Sequence, residues 1–104
     1  MKKIISRKVY NTETATKIAE VGNDYPRSDF HFTVEILYRT LQGRYFLYGE
    51  GGALSAYSQS VGNSGYTGGS DIVPLSENKA INWLESNNEV ETLQELFADH
   101  LTEA

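Results

Sequence analysis

The stretch FHFTVEILYRTLQGRYFLYGE, residues 30–50, decides the fold. Phe30, Phe32, Val34, Ile36 and Tyr38 alternate with His31, Thr33, Glu35, Leu37 and Arg39. That period of two marks a strand with two different faces. Gln42-Gly43 then offers a two-residue turn, because glycine accepts positive φ without a steric penalty. The run from Arg44 to Glu50 returns as the antiparallel partner. Such a turn sets Tyr38 opposite Leu47, Arg39 opposite Phe46, Leu37 opposite Tyr48 and Glu35 opposite Glu50. One sheet face is then apolar. The other carries Leu37, Phe46 and Tyr48 among charges and is expected to be partly covered.

Beyond this hairpin the chain turns glycine-rich: residues 49–70 hold seven of the nine glycines. A strand running into Gly49, Gly51 and Gly52 resembles a phosphate-binding loop. The dinucleotide fingerprint needs a third glycine where Leu54 stands, between a parallel strand and its crossover helix. A P-loop needs Gly-Lys-Ser/Thr, and none follows. The glycines are read instead as a corner where the backbone leaves the sheet, with one helical turn around Ala53–Tyr57. SDIVPL (70–75) is an edge strand, since Pro74 cannot donate to a ladder.

Two helices are expected at the C-terminal end. Residues 76–87 start at a Ser76 cap, with Leu75 packing back on Ala80. Residues 89–104 place Val90, Leu93, Phe97 and Leu101 inward, and Asn87-Asn88 separates the two. At the other end, KKIISRKVY (2–10) reads as a basic edge strand. NTETATKIAEVG (11–22) reads as a short helix capped by Asn11 or Thr12, with Ala15, Ile18 and Ala19 as its apolar stripe and Gly22 just past it. The sum is one α+β domain over residues 1–104. It has a small antiparallel sheet of three to four strands, one N-terminal helix and two C-terminal helices.

Composition bounds the chemistry. The chain has no cysteine, which removes disulfides, thiolate metal sites and cysteine nucleophiles. No apolar run of seven opens the chain, and no stretch reaches bilayer-spanning length, so a soluble cytoplasmic protein is expected. The net charge of −5 is unevenly placed. Residues 1–44 carry eight Lys/Arg against five Asp/Glu, a balance of +3, and residues 45–104 carry one against nine, a balance of −8. Such asymmetry bears on partners rather than on fold.

Catalytic motifs are weak. Glu35 and Glu50, if directly opposed, would stand about 5 Å apart, close to the spacing of a retaining glycosidase pair. A two-stranded platform leaves little room for a sugar. His31 and His100 lack partners at ligand spacing, so no metal or other cofactor is expected. Phe46 and Tyr48 could stack on single-stranded nucleic acid, but the acidic balance opposes phosphate and no direct nucleic-acid binding is expected. Trp83 reads as a packing residue of its helix.

The acids of the C-terminal end are more informative. Glu91, Glu95, Asp99 and Glu103 recur every four residues, forming one stripe on a helix with steps of about 6 Å. Each like-charge i,i+4 pair costs roughly 0.2–0.5 kcal/mol, and Asp99 and Glu103 oppose the negative dipole end. With Glu85 and Glu89 at the rim, the stripe suits a basic groove of a protein partner. A solvated helix face explains it as well.

Three blocks carry a family resemblance: VYNTETATKIA (9–19), ILYRTLQGRYFLYGEGGALSAY (36–57) and IVPLSENKAINWLE (72–85), followed by the acidic end. In that order they resemble small acidic proteins of bacterial phages and integrative elements, some of whose members or relatives are anti-CRISPR proteins. The resemblance covers most of the chain. The loop from Ser58 to Ser70 is longer and richer in glycine than the family pattern. The resemblance implies a non-enzymatic inhibitor in the cytoplasm of a bacterial host, acting on a CRISPR effector such as Cas9 without a cofactor. Glu91, Glu95, Asp99 and Glu103 would stand in for phosphates, as a DNA mimic does. The alternative is a mobile-element interaction module acting on a host regulator through the sheet face, with Phe46, Tyr48, Glu35 and Glu50 as contacts. The oligomeric state, monomer or dimer, is left open.

Overall fold

The central hairpin forms, with a register one residue away from the expected one. The computed structural model describes residues 1–63 and 65–104; Ser64, within the glycine-rich loop, lies outside the described residues. Strand β4 (Thr33–Arg39) pairs with β5 (Tyr45–Gly51) so that Leu37 faces Leu47, Tyr38 faces Phe46 and Glu35 faces Gly49. The cause is the turn. Thr40 N–H donates to Arg44 O at 2.8 Å and Gly43 N–H to Thr40 O at 2.9 Å, and Gly43 sits at φ 84°. This is a three-residue loop, Leu41-Gln42-Gly43, with glycine at the left-handed position. One residue of slip moves every side chain of one strand to the other face. The β4 alternation was therefore readable, while the faces of β5 were not.

The hairpin is the centre of a four-stranded antiparallel sheet of order β3-β4-β5-β8, flanked by β3 (Thr16–Gly22) and β8 (Gly69–Leu75). Strand β8 is an edge, as Pro74 requires. Strand β3 replaces the expected N-terminal helix. Asn11 Oδ1 does accept an amide, from Glu13 at 2.9 Å, and Asn11 O accepts Ala15 N–H at 3.1 Å, but the chain leaves this turn extended. A register shift between Lys17 and Ala19 breaks the alternation of β3. The bulge lets the neighbours Ile18 and Ala19 both pack on the helix-covered face, while Ala15, ahead of the strand, packs on the other; β-branched Thr16, Ile18 and Val21 favour a strand.

The N-terminal segment is a hairpin rather than a single edge strand. Strand β1 (Lys2–Ile5) pairs with β2 (Lys8–Asn11), with Ser6 and Arg7 at φ 51° and 64°. Two left-handed residues make a type I′ connection. Between β5 and β8 the chain makes turns over 53–57, not a helical turn, and a short pair, β6 (Gln59–Val61) with β7 (Gly65–Thr67).

Both sheet faces are covered. On one, Ala19, Leu37, Tyr45 and Leu47 pack against α1 (Glu77–Ser86) and α2 (Val90–Leu96) through Ala80, Leu84, Leu93 and Phe97. On the other, Phe46 and Ile72 lie beneath Tyr10 of the N-terminal hairpin. Phe46 is stacked on Tyr38 at 5.2 Å and meets the Tyr10 edge at 5.6 Å. Full burial of such a side chain contributes roughly 1.5–3 kcal/mol. Hairpin, sheet and helices thus form three layers.

Candidate functional site

The acidic end is built on a tight helix-to-helix turn. Ser76 Oγ caps α1, accepting from Lys79 N–H at 3.2 Å. The far end closes with Asn88 in the left-handed region at φ 56°. Asn88 N–H donates to Glu85 O at 3.0 Å and Glu89 N–H to Leu84 O at 2.9 Å. These are the two bonds of a Schellman motif, with asparagine where glycine is commonest. Helix α2 starts immediately after.

Helix α2 is shorter than expected, and this divides the stripe. It ends at Leu96, where Phe97 turns into the core against Tyr45 at 5.7 Å. A 3-10 turn over Ala98–His100 follows, and residues 101–104 are not helical. Glu91 and Glu95 share α2, Asp99 lies in the 3-10 turn and Glu103 in the extended end. All four are exposed, as is Glu85 on the last turn of α1, while Glu89 is half-buried ahead of α2. The single helical ladder of four acids is therefore not present; the six carboxylates are spread over the last turn of α1, the turn after it, α2, the 3-10 turn and the extended end, with Glu95 and Glu103 beside different hollows. Neither helix has a basic residue in its last turn, and residues 80–104 contain no Lys or Arg. His100 Nε2 reaches Glu77 Oε1 at 3.2 Å, tying this end back to the start of α1.

Val90 and Leu101, expected inward, are instead exposed. With Leu93, Ala98 and Glu103 they border a groove of about 410 Å³ beside α2. A second cleft, of about 520 Å³, lies between α2 and the β3–β4 edge. It mixes Lys17 and Arg39 with Glu95, and Lys17 already pairs with Glu20 at 2.5 Å.

The sheet separates the other expected contacts. Glu35 stands opposite Gly49 on the helix-covered face, and Glu50 opposite Val34 on the hairpin-covered face. They do not form a carboxylate pair. Glu35 accepts a 3.0 Å bond from Trp83 Nε1 and a short one from the Tyr57 hydroxyl. Burial, and then the bond to Glu35, push the Tyr57 hydroxyl well above its ordinary range. Glu50 accepts from the Tyr48 hydroxyl at 2.8 Å and from Arg27 Nη1 at 2.7 Å. The Tyr48 bond, then the Arg27 guanidinium, hold the Glu50 carboxyl below its usual range. Phe46 is fully buried and offers no surface to a partner, and the Tyr48 hydroxyl is already bonded to Glu50.

Tyr57 and Trp83 were not legible as partners of Glu35. The signal was Gly49, whose position opposite Glu35 depends on the turn length. A Cβ at Gly49 would overlap the Tyr57 ring, so this glycine is required by close approach rather than by a corner. At the sheet edge, Lys3 Nζ meets Asp71 Oδ1 at 2.6 Å, and this bond holds the Asp71 carboxyl below its usual range.

Comparison with family models, with curated proteins and with solved structures found no match to this chain. Among the described residues no helix is long and apolar enough to cross a membrane.

Proposed function

We propose that this chain is a non-enzymatic inhibitor that places its acidic C-terminal end on a basic, nucleic-acid-binding surface of a CRISPR effector, Cas9 in the first instance. The effector class comes from the sequence resemblance to mobile-element anti-CRISPR proteins. The observation that carries the mechanism is the exposed group Glu85, Glu91, Glu95, Asp99 and Glu103 on a segment without Lys or Arg. A basic groove evolved for phosphate attracts such a surface at long range and is then sterically closed to nucleic acid. No cofactor takes part, and the site of action is the cytoplasm of a bacterial host.

The test is retention of the purified chain on immobilised, guide-loaded Cas9 enzymes, with DNA cleavage measured in parallel. Retention is expected at low salt, with cleavage inhibited, and both effects should fade as the Debye length falls from about 10 Å at 0.1 M to about 3 Å at 1 M salt. Retention that is indifferent to salt, or cleavage that is unaffected by a bound chain, contradicts the mechanism.

A further inference from the structure

Strand β3 is an open edge of the sheet. Among the described residues it pairs with β4 alone, while the opposite edge, β8, carries Pro74. Asn23 N–H, just past β3, donates to Thr33 O at 3.2 Å. Backbone groups alternate in direction along an antiparallel strand, so Val21 also turns toward β4 and Glu20 turns its N–H and C=O outward. Such unpaired groups are a template for another strand.

The bulge restricts which strand can fit. Lys17 stands opposite Tyr38 and Glu20 opposite Ile36, two residues apart on β4, so both lie on the hairpin-covered face. Ile18 and Ala19 lie on the helix-covered face, as do Thr16 opposite Arg39 and Val21 opposite Glu35. From Thr16 to Val21 the faces therefore run helix, hairpin, helix, helix, hairpin, helix, which reads the same in both directions. An antiparallel partner reads a strand backwards. A second β3 thus matches the first along its length when the two-fold axis passes between Ile18 and Ala19. That register sets Lys17 of each copy opposite Glu20 of the other. A slip of one residue either way puts helix-side residues against hairpin-side ones and loses both ion pairs.

We infer that two copies of this chain join β3 to β3 across a two-fold axis, in the register that opposes Lys17 and Glu20. The contact is isologous and closes as a dimer. Charged side chains and bulges ordinarily protect an edge from other strands. A foreign strand meets both obstacles here, whereas a second copy brings the same bulge and the opposite charge at each position. Within one chain Lys17 Nζ pairs with Glu20 Oε1 at 2.5 Å, with both side chains about half exposed, so the two ions stand ready at the edge. The association needs only this chain and does not depend on the effector reading.

The experiment is sedimentation of the purified chain over a range of concentrations, which should show a monomer–dimer equilibrium and nothing larger. Lys17→Glu places like charges opposite each other at both pairs, and Glu20→Lys does the same. Each variant alone should dimerise at least about tenfold more weakly. Mixed in equal amounts, the two should form a heterodimer at least as tight as the wild-type dimer, because every reversed charge then faces its opposite. Both positions are exposed, and circular dichroism checks that each variant is folded. The wild-type chain supplies a readout without substitution: exchange of the Glu20 amide with solvent should slow as the concentration rises. A wild-type chain still monomeric at about 1 mM overturns the inference. So does a mixture of the variants no more associated than either alone, or a dimer in which Glu20 exchange is unchanged.

Discussion

Trp83 Nε1 on α1 donates to Glu35 Oε1 on β4 at 3.0 Å, and the Tyr57 hydroxyl reaches the same carboxylate from the glycine-rich loop. One side chain therefore ties the sheet, the first helix and the loop together. Removing an acceptor that serves two partly buried donors costs roughly 1–3 kcal/mol. Glu35→Ala should lower urea stability by about that amount, and Glu35→Gln, which keeps one acceptor oxygen, by less. Equal stability of Glu35→Ala and the unaltered chain would show that the node is ornamental.

Gly49 and Tyr57 should behave as a coupled pair. A methyl group at Gly49 would displace the Tyr57 ring and with it the bond to Glu35. Gly49→Ala should then cost roughly 1–3 kcal/mol in the native background and far less beside Tyr57→Ala, since residues in contact are not additive. A double-mutant cycle in urea gives the coupling directly. Additive losses would mean that Gly49 is constrained by something other than the ring.

This pair also shows what the sequence could and could not reveal. The strand character of β4, the Ser76 cap, the Asn87-Asn88 break and the edge position of Pro74 follow from local rules and are all present. Glu35 could not be assigned to its partners, because the faces of β5 hang on one residue of turn length. Gln42-Gly43 fits a two-residue loop as well as it fits the end of a three-residue one. Strand β3 was hidden by its bulge. The N-terminal hairpin was hidden because Ser6-Arg7 adopts a turn normally signalled by Asn-Gly. No proline or glycine marks the end of α2; Phe97 ends it by turning into the core. The acids of the candidate site were all legible as residues, and their arrangement was not.

Stability should fall on both sides of a neutral plateau, for separate reasons. Glu50 and Asp71 have carboxyls held below their ordinary range by Tyr48 and Arg27 and by Lys3. Their contribution is present above the unfolded values near 4 and is lost as pH falls through the lower folded values. The Tyr57 hydroxyl is raised, so its contribution is present below about pH 10 and is lost as pH rises further. Glu50→Gln should flatten the acid limb alone and Tyr57→Phe the alkaline limb alone, read from thermal melts across pH. A variant that alters the opposite limb contradicts the assignment.

Ser6, Arg7 and Asn88 hold left-handed turn positions that glycine, or asparagine in place of Ser6, fills at lower cost. Asn88→Gly at the Schellman position, and Ser6→Asn with Arg7→Gly in the type I′ turn, should each raise stability by about 0.5–1 kcal/mol. Thermal unfolding measures both. A lowered midpoint for Asn88→Gly would mean that the asparagine side chain serves the turn in some further way.

The central claim is that exposed carboxylates at the C-terminal end compete with nucleic acid for a basic effector surface. The most direct measurement is binding of a labelled target duplex to guide-loaded Cas9, titrated with the chain and with Glu91→Lys, Glu95→Lys, Asp99→Lys and Glu103→Lys combined. All four positions are exposed, so the variant should keep its fold. The account predicts that the unaltered chain displaces the duplex and that the folded variant does not. Equal displacement by both contradicts it.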